Sequence, residues 1–487
     1  MSSPTRSVAA PHVVVVGGGI SGLAAGAAVR RERPDASVTV LEAAPRIGGK
    51  LALAEVAGVT VDVGAEVMLN RRREAVALAQ AAGLGGQVVH PRTTSASLWS
   101  RGRMSPMPRT MMGVPTDARL LAESGVISKA GLARAALDAV LPATRLDDGD
   151  VSIGWLVEER FGTEVVDRLV EPVLGGVYAG HAREISARAA VPQVVTLLSQ
   201  DRSMMRAASA ATSASGSNPA PVFAGLVGGM GSLPGAVARS AGLAVHMDAT
   251  VRELTRSATG GWRLVVGPTH DPEVVLADAV VLATPARATG RLLSAVAPDA
   301  SRDLDRIESA SMAVITFGFR SRDVPEDLRA GSASGFLVPP VDRHRVKAAT
   351  YSFSKWDWVR AAGAGALDGE DVLLVRCSIG RHREEQVLQV EGAELVEMAL
   401  EDLADAVGLS VRPVDAHMQR WGGALPQYAV GHLDLVQTIL DAVARVPGLA
   451  VCGAAYDGVG IPACIASAEK AAAQVIDALP PRERMGS

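Results

Sequence analysis

HVVVVGGGISGLAAGAAV, residues 12–29, carries no acid and no lysine. Its length suits a bilayer span, for which roughly 20 apolar residues are needed. Its order points elsewhere. Val13 to Val16 is a short β-branched run of the kind that forms a buried parallel strand. Gly17, Gly18, Gly19, Ile20, Ser21 and Gly22 follow, and Leu23 to Arg31 reads as a helix. Gly17, Gly19 and Gly22 complete G-x-G-x-x-G between a strand and a helix. Gly17 permits the tight turn, Gly19 lets backbone approach a pyrophosphate, and Gly22 lets the helix close on the strand. The helix N-terminus then faces phosphate charge. A second strand, Val38 to Leu41, ends at Glu42, twenty residues past Gly22. A carboxylate there can accept from ribose hydroxyls. Three glycines would also weaken a spanning helix. The stretch predicts a nucleotide site.

At 487 residues the chain can hold two or three units with sizeable cores. Apolar residues make up 48% and charged residues 21%, as in an ordinary folded protein. A net charge of -4 gives no support to a nucleic-acid partner. Lysine appears only at 50, 129, 347, 355 and 470, so Arg dominates the 48 basic residues and is available for carboxylate recognition. Cys377, Cys452 and Cys464 are odd in number and lack C-x-x-C spacing, which predicts reduced thiols and a cytoplasmic setting. The nine His show no H-x-x-x-H and no His/Cys box, so no metal is expected. Met1 to Pro11 has no apolar core of its own and does not read as a signal peptide.

The fingerprint alone serves NAD and FAD equally. Its continuation, LEAAPRIGGKLAL, places Arg46, Gly48, Gly49 and Lys50 just past Glu42 and Ala43. That glycine pair resembles the motif of the flavin-containing amine oxidase superfamily. Near the other end, LAVCGAAYDGVGIPACIASAEKAAAQVIDAL reads as strand, glycine-rich turn and helix. In the superfamily such a turn meets the flavin ring. The resemblance implies non-covalently held FAD, with Gly453, Val459, Gly460 and Ile461 at that turn. It implies further contacts at Gly64, Ala65, Glu66 and Val67, at Val251 for the adenine, and at Trp421. GGMGSLPG has Pro234 where a third glycine belongs, and is read as a packing turn.

The expected fold class is α/β: a discontinuous Rossmann-type FAD-binding domain (12–90, 221–298 and 440–480), a helical subdomain (91–210) and a mixed-sheet substrate domain (299–439). LAVHMDATVREL and ADAVVLATPA are read as one strand each, MAVITFGF and VLLVRCSI as substrate-domain strands. AASAATSASGSNPAP, residues 207–221, reads as a polar linker.

Here the resemblance narrows. GRMSPMP, VPTD, RLVEPVLGGVYAGHAREISARAAVPQV, GSASGFLVPP, YSFSKWDW and RWGGALPQYAVGH, in that order, together resemble the oxygen-dependent coproporphyrinogen and protoporphyrinogen oxidases of heme synthesis. One departure is GAEVMLN, where Ala65-Glu66 stands in place of the family's frequent Gly-Pro step. The resemblance implies hydride transfer from a porphyrinogen meso carbon to flavin N5, with dioxygen regenerating the flavin and no dedicated catalytic side chain. The protein then has to hold a flat macrocycle and its carboxylates. Asn70, Arg71, Lys355 and Arg383 are the substrate-binding candidates, since cations suit propionates. Coproporphyrinogen III is the expected substrate and protoporphyrinogen IX the close alternative. A flavin amine oxidase or desaturase is disfavoured by the 3% aromatic content, and a non-catalytic flavoprotein is the remaining reading. The sequence leaves a peripheral membrane contact and the oligomeric state open.

Overall fold

Five parallel strands form the first sheet: β1 (His12–Val16), β2 (Ser37–Leu41), β3 (Ala244–His246), β4 (Ala279–Leu282) and β5 (Leu449–Val451). In this computed structural model, which describes residues 10–146, 149–213, 221–258 and 260–481, their order is β3-β2-β1-β4-β5. Val13, Val14 and Val15 are fully buried, as a strand covered on both faces requires. One face carries α1 (Ile20–Glu32) and α2 (Ile461–Asp477), whose buried sides are mostly the small residues Gly, Ala, Ser and Cys. Small side chains let the two helices pack closely against the sheet. The other face holds the core of Trp262, Leu264, Leu293 and Ile439. Strand order reverses between β1 and β4, and in such sheets ligands bind outside the carboxyl ends of the strands at this point.

The expected single strand over LAVHMDATVREL is two. β3 pairs with β2, while Val251–Arg256 joins a separate antiparallel sheet with Trp262–Val266 and Glu273–Ala277. Asp248, at φ +56°, makes the break. The Asp248 and Ala249 amides donate to the carbonyls of Ala44 and Glu42, at 3.1 and 2.8 Å. That turn sets Val251 beside the end of β2.

A seven-stranded sheet forms the second body, ordered Asp415–Pro426, Ser309–Arg320, Val372–Ile379, Val346–Tyr351, Gly335–Leu337, Ser97–Ser100 and Arg103–Pro106. Its last two strands come from the 91–210 segment, which is otherwise mainly helical. One face packs Ile315, Phe317, Val375 and Cys377 under the helix Gly392–Val407. Helices between Ala118 and Ser213 build the third core around Phe161, Leu169 and Leu174. The expected linker over 207–221 begins inside the helix Met204–Ser213, because Ala207 and Ala208 bury against that core. Residues 214–220 of it, like residues 1–9 of the N-terminal segment, lie outside the described residues. Among the described residues no helix is long and apolar enough to cross a membrane.

Candidate active site

A cavity of about 610 Å³ opens at the carboxyl ends of β1 and β4. Gly17 turns the chain there at φ +107°, and a Cβ on it would lie 2.8 Å from the Ala283 carbonyl oxygen. At Gly22 a Cβ would lie 1.9 Å from the Gly17 carbonyl oxygen, so helix and turn are in contact. Gly19 differs: a Cβ there would meet nothing within 4 Å, and the residue lines the cavity. The second glycine pair clamps the first. The Gly48 amide donates to the Gly18 carbonyl at 2.8 Å, and Gly49 stands against Gly19.

Gly17, Gly19, Ile20, Ser21, Glu42, Ala43, Arg46, Gly49, Lys50, Val251, Trp421 and Gly453 all line this one cavity, although they come from distant parts of the chain. Gly18 lies behind the wall: its amide donates to Glu42 Oε2 at 2.6 Å, and Ala44 N donates to Oε1 at 2.8 Å. Glu42 therefore organises the loop as well as facing the space a ribose would take. Gly460 caps α2 and Ile461 begins it, with Val459 just before. Cys464 of the same helix reaches the cavity.

The lining also contains Thr250, Arg252, Thr284, Pro285, Arg291 and Ala455, which sequence reasoning did not single out. The turn after β4 was legible in ATPA as the end of a buried strand; its role was not. The lining holds four cations, Arg46, Lys50, Arg252 and Arg291, and one carboxylate, Glu42. An excess of cations suits a ligand carrying two phosphates. Arg46 Nη2 also donates to the Gly49 carbonyl at 3.0 Å and stands over Trp421, 5.6 Å from its ring centre.

The segment from Gly64 to Val67, expected at the flavin, is not among the residues lining the cavity; it packs behind two that are, Lys50 and Trp421. A Cβ on Gly64 would lie 2.0 Å from the Lys50 carbonyl. Ala65 N donates to that same oxygen at 3.0 Å, and Trp421 Nε1 donates to the Val63 carbonyl at 3.1 Å. Val67 packs on the cluster of Val61 and Trp356. Glu66 is held by two cations, Lys355 Nζ on Oε1 and Arg376 Nη1 on Oε2, the latter at 2.5 Å. Arg376 Nη2 also bonds the Gly64 carbonyl at 2.7 Å. Burial alone would raise the Glu66 pKa; Lys355 and Arg376 reverse that and hold it at about 2. The unusual Glu66 is thus the acid of a buried three-residue cluster. Arg376 was not anticipated, since its only signal was a charge inside the apolar run VLLVRCSI.

Of the substrate candidates, Asn70 bonds the Pro221 carbonyl at 2.9 Å and Arg71 is exposed. Lys355 is engaged by Glu66. Arg383 is exposed and pairs with Glu184 and Glu308, at 2.9 and 3.0 Å. Lys355 meets the Gly64–Arg71 segment at Glu66, whereas Arg383 belongs to a separate ionic group with His382. GGMGSLPG is a packing turn: Met230 N and Gly231 N donate to buried Asp62, both at 2.9 Å, and the turn does not line the cavity. Burial pushes the Asp62 carboxyl up to about 6, against those two amide bonds.

Residues 20–476 match the family described as flavin containing amine oxidoreductase. The chain belongs to that family. It is 36% identical over 475 residues to a coproporphyrinogen III oxidase of Mycobacterium tuberculosis, spanning 96% of this chain and 97% of the relative. It is 30% identical over 482 residues to the coproporphyrinogen III oxidase of Bacillus subtilis, spanning 96% and 98%. A crystal structure from Exiguobacterium sp., provisionally assigned as a protoporphyrinogen oxidase, superposes with a TM-score of 0.84 at 28% identity over 96% of this chain and 99% of that one. The chain is therefore a flavin oxidoreductase of α/β fold. The open face at Gly19, the surrounding cations and the loop-organising Glu42 fit FAD.

Cys452 and Cys464 flank the turn from Gly453 to Gly460, and burial pushes both thiols up, away from the reactive thiolate. Non-covalent flavin is expected. Acid precipitation of the purified protein should leave the yellow colour in the supernatant, and a yellow pellet would contradict this.

Proposed function

We propose that the protein oxidises coproporphyrinogen III to coproporphyrin III, using bound FAD and dioxygen in three two-electron steps that each release hydrogen peroxide. The observation that carries this reading is full-length similarity to coproporphyrinogen III oxidases, at 30% and 36% identity, in a chain whose cavity has the cradle for a flavin dinucleotide. When bound, the flavin supplies the two-electron acceptor. The chain's own residues orient: Gly19 and Gly49 leave room for pyrophosphate, Glu42 fixes the loop, and Trp421 with Arg46 closes the side facing the large sheet.

The nucleotide-binding unit is proposed to comprise 12–90, 221–298 and 440–480, the helical unit 91–210 and the substrate unit 299–439, with Ser97–Ser100 and Arg103–Pro106 lent to the substrate sheet. The unpaired thiols support a cytoplasmic location. Asn70 and Arg71 are proposed to meet the substrate at the rim, with the Lys355 ammonium behind them. Arg383 would serve only by exchanging its present acids for a propionate.

Four propionates suit a site with several cations, and a vinyl group in place of a propionate would leave a buried charge unpaired. Anaerobic mixing should bleach the flavin with coproporphyrinogen III, and kcat/KM should be higher for it than for protoporphyrinogen IX. Arg71→Ala should raise KM more than it lowers kcat, because it removes binding common to ground and transition states. A preference for protoporphyrinogen would replace the substrate assignment. An unaltered KM would release Arg71 from its role.

A further inference from the structure

Lys347, in strand Val346–Tyr351, is 3% exposed. Among the described residues no carboxylate lies within ion-pair distance of its ammonium; its contact is Met312 Sδ at 3.9 Å. A buried ammonium without an acid is costly. Arg381, 5% exposed, adds a second cation nearby. Its Nη2 donates to the Val338 carbonyl at 3.1 Å, while Nη1 has no partner among the described residues. Burial, helped by repulsion from Arg381, lowers the Lys347 pKa to about 7. Glu171 and Glu384 act on Arg381 only from a distance.

Register locates this pair. Met312 stands opposite Trp421, Val314 opposite Ser378, and Thr316 opposite Arg376. Thr350 continues the Arg376 rung, and Ala348 the Ser378 rung, into Leu337. Directly opposed residues share a face, so one face carries Trp421, which lines the flavin cavity, and Arg376, which holds Glu66. Lys347 sits at the irregularity between Val346 and Ala348 and reaches Met312, next to Trp421. Leu337 on that face touches the helix Glu171–Tyr178 near Gly176. Arg381 Nη1 abuts Gly175 of the same helix, since a Cβ there would lie 2.4 Å away.

We propose that Lys347, supported by Arg381, binds a carboxylate of an anionic tetrapyrrole where the sheet face meets the helix Glu171–Tyr178. This rests on the porphyrinogen reading above and extends it, placing a cation on the sheet side of the substrate, away from Arg71. The ligand supplies the anion that the fold withholds. A purely structural lysine would instead be needed for packing by its stem.

The test uses holoenzyme titrated with coproporphyrin III, followed by porphyrin fluorescence, for wild type, Lys347→Met and Lys347→Arg. Lys347→Met should weaken binding roughly tenfold or more, as expected for losing a hydrogen bond to a charged group. It should keep its flavin and melt at a higher temperature than wild type, because an orphan charge is gone. Lys347→Arg should bind within about threefold of wild type, a change worth under 1 kcal/mol. Unchanged affinity in Lys347→Met overturns the proposal, as does a lower melting temperature with equal losses in both variants. If wild type itself does not bind coproporphyrin III, the substrate reading falls and this inference with it, a result visible before any variant is made.

Discussion

Gly19→Val is expected to yield a folded protein that no longer retains flavin. Gly19 adopts φ -71° and ψ 174°, extended backbone that valine takes readily, and its added atoms would point into open space. That space is the cavity proposed to hold the dinucleotide. Forcing a branched side chain against a pyrophosphate costs about 3 kcal/mol or more, roughly a hundredfold in affinity. Gly22→Ala supplies the contrast. Its Cβ would sit 1.9 Å from the Gly17 carbonyl oxygen, so the strand-turn-helix unit has to move even without cofactor. The ratio of flavin to protein absorbance, read beside a thermal melt, separates the two. Gly19→Val should lose colour and keep its apoprotein melt, whereas Gly22→Ala should lose both. Normal flavin content in Gly19→Val would remove the pyrophosphate assignment.

Glu66→Gln should be the most damaging single change outside the glycine loop. Lys355 and Arg376 are both mostly buried and both point at this carboxylate. Neutralising it leaves two buried cations facing each other, for which a loss of about 3–5 kcal/mol is expected. The pH dependence follows from the direction of the shift. Glu66 is held at about 2 against an ordinary 4.5, so the unfolded chain binds the proton first. Its stabilisation is complete above pH 4.5 and disappears as pH falls toward 2. Urea midpoints of wild type and Glu66→Gln should therefore differ by a constant amount near neutrality and converge in acid. A variant within about 0.5 kcal/mol of wild type at pH 7, the range of an ordinary surface substitution, would show that the cluster contributes little.

The glycine loop was legible because its constraints are local. A strand, a tight turn and a helix are encoded in consecutive residues, and each glycine answers a backbone or packing requirement within that run. Gly48 and Gly49 were legible for the same reason, and β1, α1 and β2 formed where they were expected. The break at Asp248 was not: LAVHMDATVREL alternates well enough for one strand, and only the carbonyls of Glu42 and Ala44 at the end of β2 decide where it stops. The end of the helix Met204–Ser213, from residue 207, was hidden by Ser and Ala in a polar-looking run, which tertiary burial overrode.

By itself the sequence determined the strand, glycine turn and helix at residues 12–32, the flavin family and the α/β class, but only some of the cations: Arg252, Arg291 and Arg376 were not among its candidates. Only the tertiary structure decided which charges meet. Glu66 lies 289 residues from Lys355 and 310 from Arg376, and Lys347 reaches Met312 through the register of neighbouring strands. A one-residue slip would send the strand side chains Arg376 and Met312 to the opposite face of the sheet. Local sequence specifies backbone conformation; long-range pairing specifies electrostatics. A lysine or arginine in an apolar run becomes a site only when folding brings, or withholds, the acid that faces it.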